Sequence, residues 1–374
     1  MRILHVVGGM NRGGVETWLM HVLRLVDPVD YHMDFLVQTS DQAAFDNEIL
    51  DAGSLVIPCL KPRYPIQYAR NFRRVMRKYG PYDVLHSHVH YYSGCVLCLA
   101  HSAGVPTLIA HSHTDTRELE EQAEKPRRMY ATLMKRMISR YAVCGLAASK
   151  KAAEDLFGLD WADDPRWRIL YCGIDLEPFK QAVDPQQIRA EMGIPEKAFV
   201  VGHAGRFSEV KNHTFIVDIA SEVGKAAADI RFFLVGDGPL RPTIERKVES
   251  LGLRDKVIFA GVRTDVPRLM LGAMDAFILP SLREGLPLVL IEAQSAGLPC
   301  VFSDVISEEA DIVKHLVKRL PVDGSAATWA AAILNLRRNR PKSKDPKAIT
   351  VVEHSAFNII SSAEKLMRVY EGCD

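Results

Sequence analysis

The run Leu279-Pro280-Ser281-Leu282-Arg283-Glu284-Gly285-Leu286-Pro287-Leu288-Val289-Leu290-Ile291-Glu292-Ala293 holds two glutamates in unlike settings. An apolar strand pattern stops at Pro280, Glu284 and Gly285 fall in the loop, and Pro287 suits the first turn of a helix. A helix that starts there offers free backbone N–H groups to a sugar hydroxyl or a phosphate. Glu292 follows four apolar residues, where a carboxylate is costly unless hydrogen-bond donors meet it. Ribose hydroxyls would meet it. The plain alternative is a side chain that reaches water or a core cation.

A second group of chemistry-bearing residues is Gly202-His203-Ala204-Gly205-Arg206-Phe207-Ser208-Glu209-Val210-Lys211-Asn212. The strand pattern ends at Ala204 and Gly205 permits a tight exit. Arg206 and Lys211 then lie in the loop at the carboxyl edge, where open α/β sheets bind ligands. Two cations there suit a diphosphate, the guanidinium as a planar fork and the ammonium as a point charge. A solvated basic loop is the competing reading. Near the N-terminus, Gly8-Gly9-Met10-Asn11-Arg12-Gly13-Gly14-Val15-Glu16 joins a first strand to a helix. Such a turn brings backbone N–H groups and a helix N-terminus to an anion, or is only a flexible loop. Its spacing is not G-x-G-x-x-G, so a nicotinamide dehydrogenase is poorly supported.

His86, His88 and His90 alternate at a strand end, and His111 and His113 follow the next strand. Alternation puts the first three on one side if the strand continues. Imidazoles can bind zinc, but no cysteine or carboxylate cluster accompanies them, and the expectation is no metal and no cofactor. The chain also has no D-x-D triplet.

Positioning these residues falls to short apolar runs that alternate with amphipathic ones, the pattern of parallel α/β units. Strands are expected at 3–7, 32–38, 54–57, 84–86, 107–110, 146–148 and 168–171. The pattern restarts at 199–204 and continues at 231–235, 256–259, 276–280 and 299–303. Helices are expected at 14–26, 67–78, 127–140, 213–225, 240–251, 288–296 and 357–370, with an exposed basic loop over 337–347. The restart divides the chain into two domains, 1–172 and 173–355, and a C-terminal helical segment, 356–374.

Taken in order, four elements resemble glycosyltransferase family 4, whose members have the GT-B fold. They are Gly13-Gly14-Val15-Glu16, Gly205-Arg206 with Lys211-Asn212, Val235-Gly236-Asp237-Gly238-Pro239, and Pro280 to Pro287 running into Glu292, the E-x7-E element. Ala110-His111-Ser112-His113 and Ser303-Asp304-Val305-Ile306 look most like bacterial exopolysaccharide and capsule enzymes. The resemblance implies two doubly wound Rossmann-like domains that face a central cleft. It implies retaining transfer from a nucleotide diphosphate sugar, UDP-linked, to a glycan or lipid-linked acceptor in surface polysaccharide synthesis. Gly13 and Gly14 would line the diphosphate and acceptor side, with Gly205 beside the second domain's cations. Arg206 and Lys211 would neutralise the leaving diphosphate, and cationic side chains would stand where other enzymes use a metal. Glu284 would lie by the sugar hydroxyls, and the backbone of Gly285, Leu286, Pro287 and Leu288 would face sugar and phosphates. Glu292 would take the ribose, and Arg263 falls where the base packs. His113 or His111 would contact the sugar near the reacting carbon. Two departures stand out: Ile306-Ser307-Glu308-Glu309 replaces the family's glycine pair and acidic residue, and the C-terminus is short, although its last helix could cross back to the first domain.

The 374 residues carry a formal net charge of +1 and 48% hydrophobic residues, as an ordinary protein of two domains does. No global field argues for nucleic acid. No run of about 18 apolar residues predicts a membrane span, and the N-terminus does not read as a secretory signal. Seven scattered cysteines suit buried thiols in a reducing cytoplasm; Cys95 and Cys98 read as packed on a helix, with a redox pair as the alternative. Two basic stretches, 62–80 and 125–141, can lie on an anionic membrane face or be solvated helix faces. A related epimerase, or a binding protein without catalysis, is the alternative function.

Overall fold

The computed structural model describes residues 1–60, 62–341 and 343–372. The chain divides into two compact units, Met1–Gly173 with Ile359–Asp374, and Ile174–Asn358. The first boundary lies one residue from the sequence-based one and the second three residues from it. The C-terminal helix belongs to the first unit.

Seven parallel strands build the first unit: β1 (Arg2–Val7), β2 (His32–Val37), β3 (Val56–Pro58), β4 (Val84–Ser87), β5 (Thr107–Ser112), β6 (Cys144–Ala147) and β7 (Trp167–Ile169), in the order β3-β2-β1-β4-β5-β6-β7. Six build the second: β8 (Phe199–Ala204), β9 (Ile230–Val235), β10 (Val257–Gly261), β11 (Ala276–Leu279), β12 (Cys300–Ser303) and β13 (Val317–Leu320), in the order β10-β9-β8-β11-β12-β13. Each order reverses once, between β1 and β4 and between β8 and β11. Ligands of doubly wound sheets sit at that reversal, beyond the carboxyl ends of the strands.

Both sheets read as nearly continuous apolar runs because helices cover both faces. In the second unit Phe199, Val201, Phe232 and Leu234 pack with Ile216, Ile219 and Trp329. In the first, Leu4, Val6, Leu85 and Leu108 pack with Phe72, Val96 and Ile138. β13, Val-Lys-Arg-Leu, is absent from the sequence-based expectation. It is a four-residue edge strand with an exposed lysine, and so short and half-polar a run gives no apolar signal.

The segment 337–347 is largely exposed, as expected, but departs from a free loop at its start and at Lys344. Arg337 and Arg338 end the helix Ala326–Arg338. Arg337 pairs with Asp229 and Arg340 with Asp275. The Lys344 ammonium donates to the carbonyls of Met270 and Leu271, and burial lowers its pKa to about 7. Arg338, Arg340 and Lys347 face water as expected, whereas Arg337 and Lys344 are partly buried against their partners. Lys342 lies outside the described residues. The cysteines at 59, 95, 98, 144, 172 and 300 are free thiols, and Cys95 and Cys98 lie on the helix Ser93–Ser102.

Candidate active site

β8 and β11 are neighbours at the reversal of the second sheet, so the loops that leave them converge. Lys211 Nζ donates to Glu284 Oε1 at 2.5 Å, with both side chains largely buried. The backbone ties the same loops together, since Leu282 N donates to Val210 O at 2.8 Å. Asn212 takes a left-handed conformation, φ 54°, which turns the chain from the short turn Glu209–Lys211 into the helix His213–Ala226. Arg206 is exposed, and among the described residues nothing holds its guanidinium. One cation is thus paired and one is free, at the place where a diphosphate would need both.

The loop after β9 supports this pair. Gly205 N donates to Val235 O and Phe207 N to Asp237 O, each at 2.9 Å. Gly236 has φ +129°, and a Cβ there would collide with the Gly205 carbonyl oxygen. A side chain on Gly238 would stand 2.6 Å from Phe207 O. Glycine is therefore required if the Gly205–Phe207 turn is to lie directly on its neighbour.

Glu292 lies on the helix Leu288–Ser295. It is half-buried, no hydrogen bond or ion pair among the described residues engages its carboxylate, and burial pushes its pKa up to about 7. An uncompensated carboxylate beside a loop at the carboxyl edge of the sheet marks a candidate functional site. Pro287 does not sit in the first turn as expected but just before the helix, with ψ 106°, so Leu288 offers the first helical N–H. Gly285 is buried and Leu286 half-buried in the same loop. Arg263 follows the edge strand β10, where Asp265 holds it in two bonds of 2.8 Å.

In the first unit the glycine turn leads into the helix Gly14–Leu25, capped by the backbone of Gly13. Glu16 folds back so closely that a Cβ on Gly13 would collide with its Oε2. Burial raises its pKa above the usual carboxylate range. This carboxylate stands at the helix N-terminus where an anion was expected, so an incoming diphosphate would have to displace it.

The histidines do not group as expected. β4 stops at Ser87, and His90 turns away at φ 49° to pair with Asp155 at 3.2 Å. His5 joins the others instead, because β1 and β4 are paired with His5 opposite His86. His5, His86, His88, His111 and His113 form one cluster under Trp18 of the first helix and Tyr370 of the C-terminal helix Ile359–Glu371. His111 is fully buried, whereas His113 is partly exposed. His113 Nε2 lies 2.9 Å from His88 Nδ1, and its Nδ1 lies 3.7 Å from Cys172 Sγ. Burial lowers the pKa of His113 to about 3, so the ring is neutral at physiological pH.

A model for Glycosyltransferase Family 4 matches residues 12–178, and one for Glycosyl transferases group 1 matches residues 184–350. The Bacillus subtilis (strain 168) protein named as the glycosyltransferase EpsF is 36% identical over 347 residues, 91% of this chain and 89% of the relative. The chain belongs to glycosyltransferase family 4. The glycosyltransferase is also 23% identical to the Staphylococcus aureus capsular polysaccharide biosynthesis glycosyltransferase CapH, over 99% of this chain and 98% of that one. Its fold is GT-B. The crystal structure of Anabaena Alr3699/HepE in complex with UDP superposes with a TM-score of 0.81 at 18% identity, and both chains are fully covered.

Three structural features around the candidate residues carry no role in the sequence reading. Gly236 and Gly238 are one; their motif was noted, but only the close approach explains it. The loop 306–313, where the sequence departs from the family pattern, is the second. Gln294 holds it by donating to Ala310 O at 2.8 Å and accepting from Ile312 N and Val313 N. Arg319 donates to the carbonyls of Ile306 and Ser307. Asp155 is the third. It is fully buried and bonded to Tyr91 and Thr116 as well as His90. Burial works against its ionisation, but these bonds win and hold the carboxyl below its usual range.

Proposed function

We propose that this glycosyltransferase transfers a hexosyl or N-acetylhexosaminyl group from a UDP-sugar, with retention, to a glycan or lipid-linked saccharide of a surface polysaccharide. The observation that carries the reading is the convergence of Arg206, Lys211 and Glu284 at the reversal of the second sheet, with the unpartnered Glu292 on the adjoining helix. The UDP in the Anabaena relative and the capsular role of the Staphylococcus relative support the donor and the setting.

In this reading Arg206 and Lys211 meet the diphosphate, and Lys211 exchanges its bond to Glu284 for a phosphate oxygen. Glu284, released, accepts from hydroxyls of the transferred sugar. Glu292 accepts from the ribose hydroxyls, and Arg263 flanks the base. Gly205 lets the backbone approach, and Gly285 to Leu288 present their backbone to sugar and phosphate. Gly13 and Gly14 serve the acceptor side. His113, the partly exposed member of the pair, serves the sugar rather than the buried His111. The C1–O(phosphate) bond breaks and the acceptor oxygen bonds C1 on the same face, while its proton passes to the leaving phosphate. The chain's contribution is positioning and stabilisation of the separating charges. Cationic side chains carry that stabilisation, so the transfer requires no divalent ion at the diphosphate.

A peripheral position at the cytoplasmic face of the membrane fits the surface of the first unit. The helix Pro65–Tyr79 lines a depression of about 500 Å³ with Arg70, Arg73, Arg74, Arg77 and Lys78. On the helix Lys125–Tyr141, Met129 and Leu133 are 73% and 54% exposed among basic residues. Apolar side chains between cations are the pattern of an interfacial helix. Among the described residues no helix is long and apolar enough to cross a membrane.

Thermal shift against a panel of nucleotide sugars tests the donor, since a true donor stabilises by mass action. Transfer with the stabilising sugar, followed by NMR of the product anomer, tests chemistry and retention. A stabilising donor that is neither transferred nor hydrolysed would make the chain a binding protein, and an inverted product would overturn retention.

A further inference from the structure

We propose that His88, His111 and His113 form a binding site for one divalent transition-metal ion of the zinc class, distinct from the diphosphate site. One nitrogen from each ring lies within 4.8 Å of the other two. His111 is fully buried; no side chain among the described residues bonds either ring nitrogen, and the one polar group that acts on the ring is the backbone of Leu170. A buried polar atom left so costs about 1–3 kcal/mol and points to an unfilled ligand position. Borderline divalent ions prefer imidazole, and three histidines with one open position make a common zinc arrangement.

The surroundings are those a three-histidine site needs. With His88 Nδ1 and His113 Nε2, now 2.9 Å apart, both turned to the ion, the remaining N–H groups of these two rings have acceptors. His88 Nε2–H donates to His5 Nδ1 at 3.1 Å, and His113 Nδ1–H to Cys172 Sγ at 3.7 Å. Such outer bonds fix the tautomer and the ring plane of a metal-binding histidine. His86 stacks on His111 with an interplanar angle of 2°, and Tyr370 Oη holds His86 Nδ1 at 2.7 Å. Burial lowers the pKa of all three rings, so their lone pairs are free at neutral pH. No carboxylate joins the group, and the partial exposure of His88 and His113 lets water reach the ion's open position.

The test uses the full chain, stripped with a chelator and titrated with Co²⁺, read by visible d–d absorption and by metal analysis after desalting. One equivalent is expected. Changing His88→Gln and His113→Gln should weaken binding by at least the roughly 10–100-fold seen when an outer partner of a metal ligand is lost. His101→Gln, on the surface, should bind as wild type. X-ray absorption of the zinc-loaded wild type, which needs no variant, should show imidazole nitrogens at about 2.0–2.1 Å. Substoichiometric binding, equal binding by the double variant, or an absorption spectrum without imidazole scattering overturns the site. None of these readouts depends on a sugar donor, so the site and the proposed transfer stand or fall separately. Because His113 serves both, zinc occupancy should also inhibit transfer.

Discussion

Lys211 and Glu284 illustrate how a paired charge differs from a spent one. Their 2.5 Å bond is largely screened from water, yet in the proposed reading a diphosphate takes the ammonium. Lys211→Ala and Arg206→Ala are expected to lower kcat/KM by about 10²–10³ each, the size of losing one preorganised charge. Glu284→Gln should act on kcat as well, with a change in melting temperature of only a few degrees in any of the three. Wild-type turnover in a folded variant would remove that residue from the mechanism. Glu292 makes a pH prediction. Its carboxyl titrates near pH 7 in the free protein, and hydroxyls that donate to it favour the ionised form. Donor binding should then release a proton, and affinity should rise up to about tenfold per unit as pH increases toward 7. Above that it should level off. Glu292→Gln should flatten the profile. The stability effect has the opposite sign: a carboxyl whose folded pKa is raised costs stability as pH rises from about 4.5 to 7. Calorimetry in buffers of different ionisation enthalpy separates proton release from affinity.

At the scale of elements, the loops after β8, β9 and β11 act as one support. Gly236→Ala forces a Cβ at φ +129° against the Gly205 carbonyl. That substitution should cost on the order of 2–3 kcal/mol by melting and weaken UDP binding, since the Arg206 turn must move. A variant with wild-type melting and UDP affinity would show that the turn has room. These elements were legible to different degrees. The strands of both sheets stood out as short apolar runs, because covered parallel strands are apolar throughout. β13 did not, and the pairing of Arg337 and Arg340 was hidden because their partners Asp229 and Asp275 are distant in sequence.

For the whole molecule the chain leaves the first unit after Gly173 and returns to it at Ile359. The basic face belongs to that first unit. Arg73→Ala and Arg77→Ala should each reduce partition onto anionic vesicles about fivefold at low salt, from about 1 kcal/mol per basic residue. Binding of wild type that is indifferent to anionic lipid would remove the membrane from the proposal.

The sequence by itself determined the family, the restart that makes two sheets, and the residues at the carboxyl edge of the second. These follow from local apolar pattern and from motifs that keep their order along the chain. Tertiary structure alone decided which histidines meet. His90 leaves the row through a single left-handed residue, and His5 enters it because β1 pairs beside β4. It also decided that Glu16 stands at the helix N-terminus, that Lys211 holds Glu284, and that Gly236 must lack a side chain. The Glu16 fold-back is local but turns on a rotamer that spacing does not fix. The last two depend on backbones brought together from separate segments, and spacing along the chain does not encode that approach.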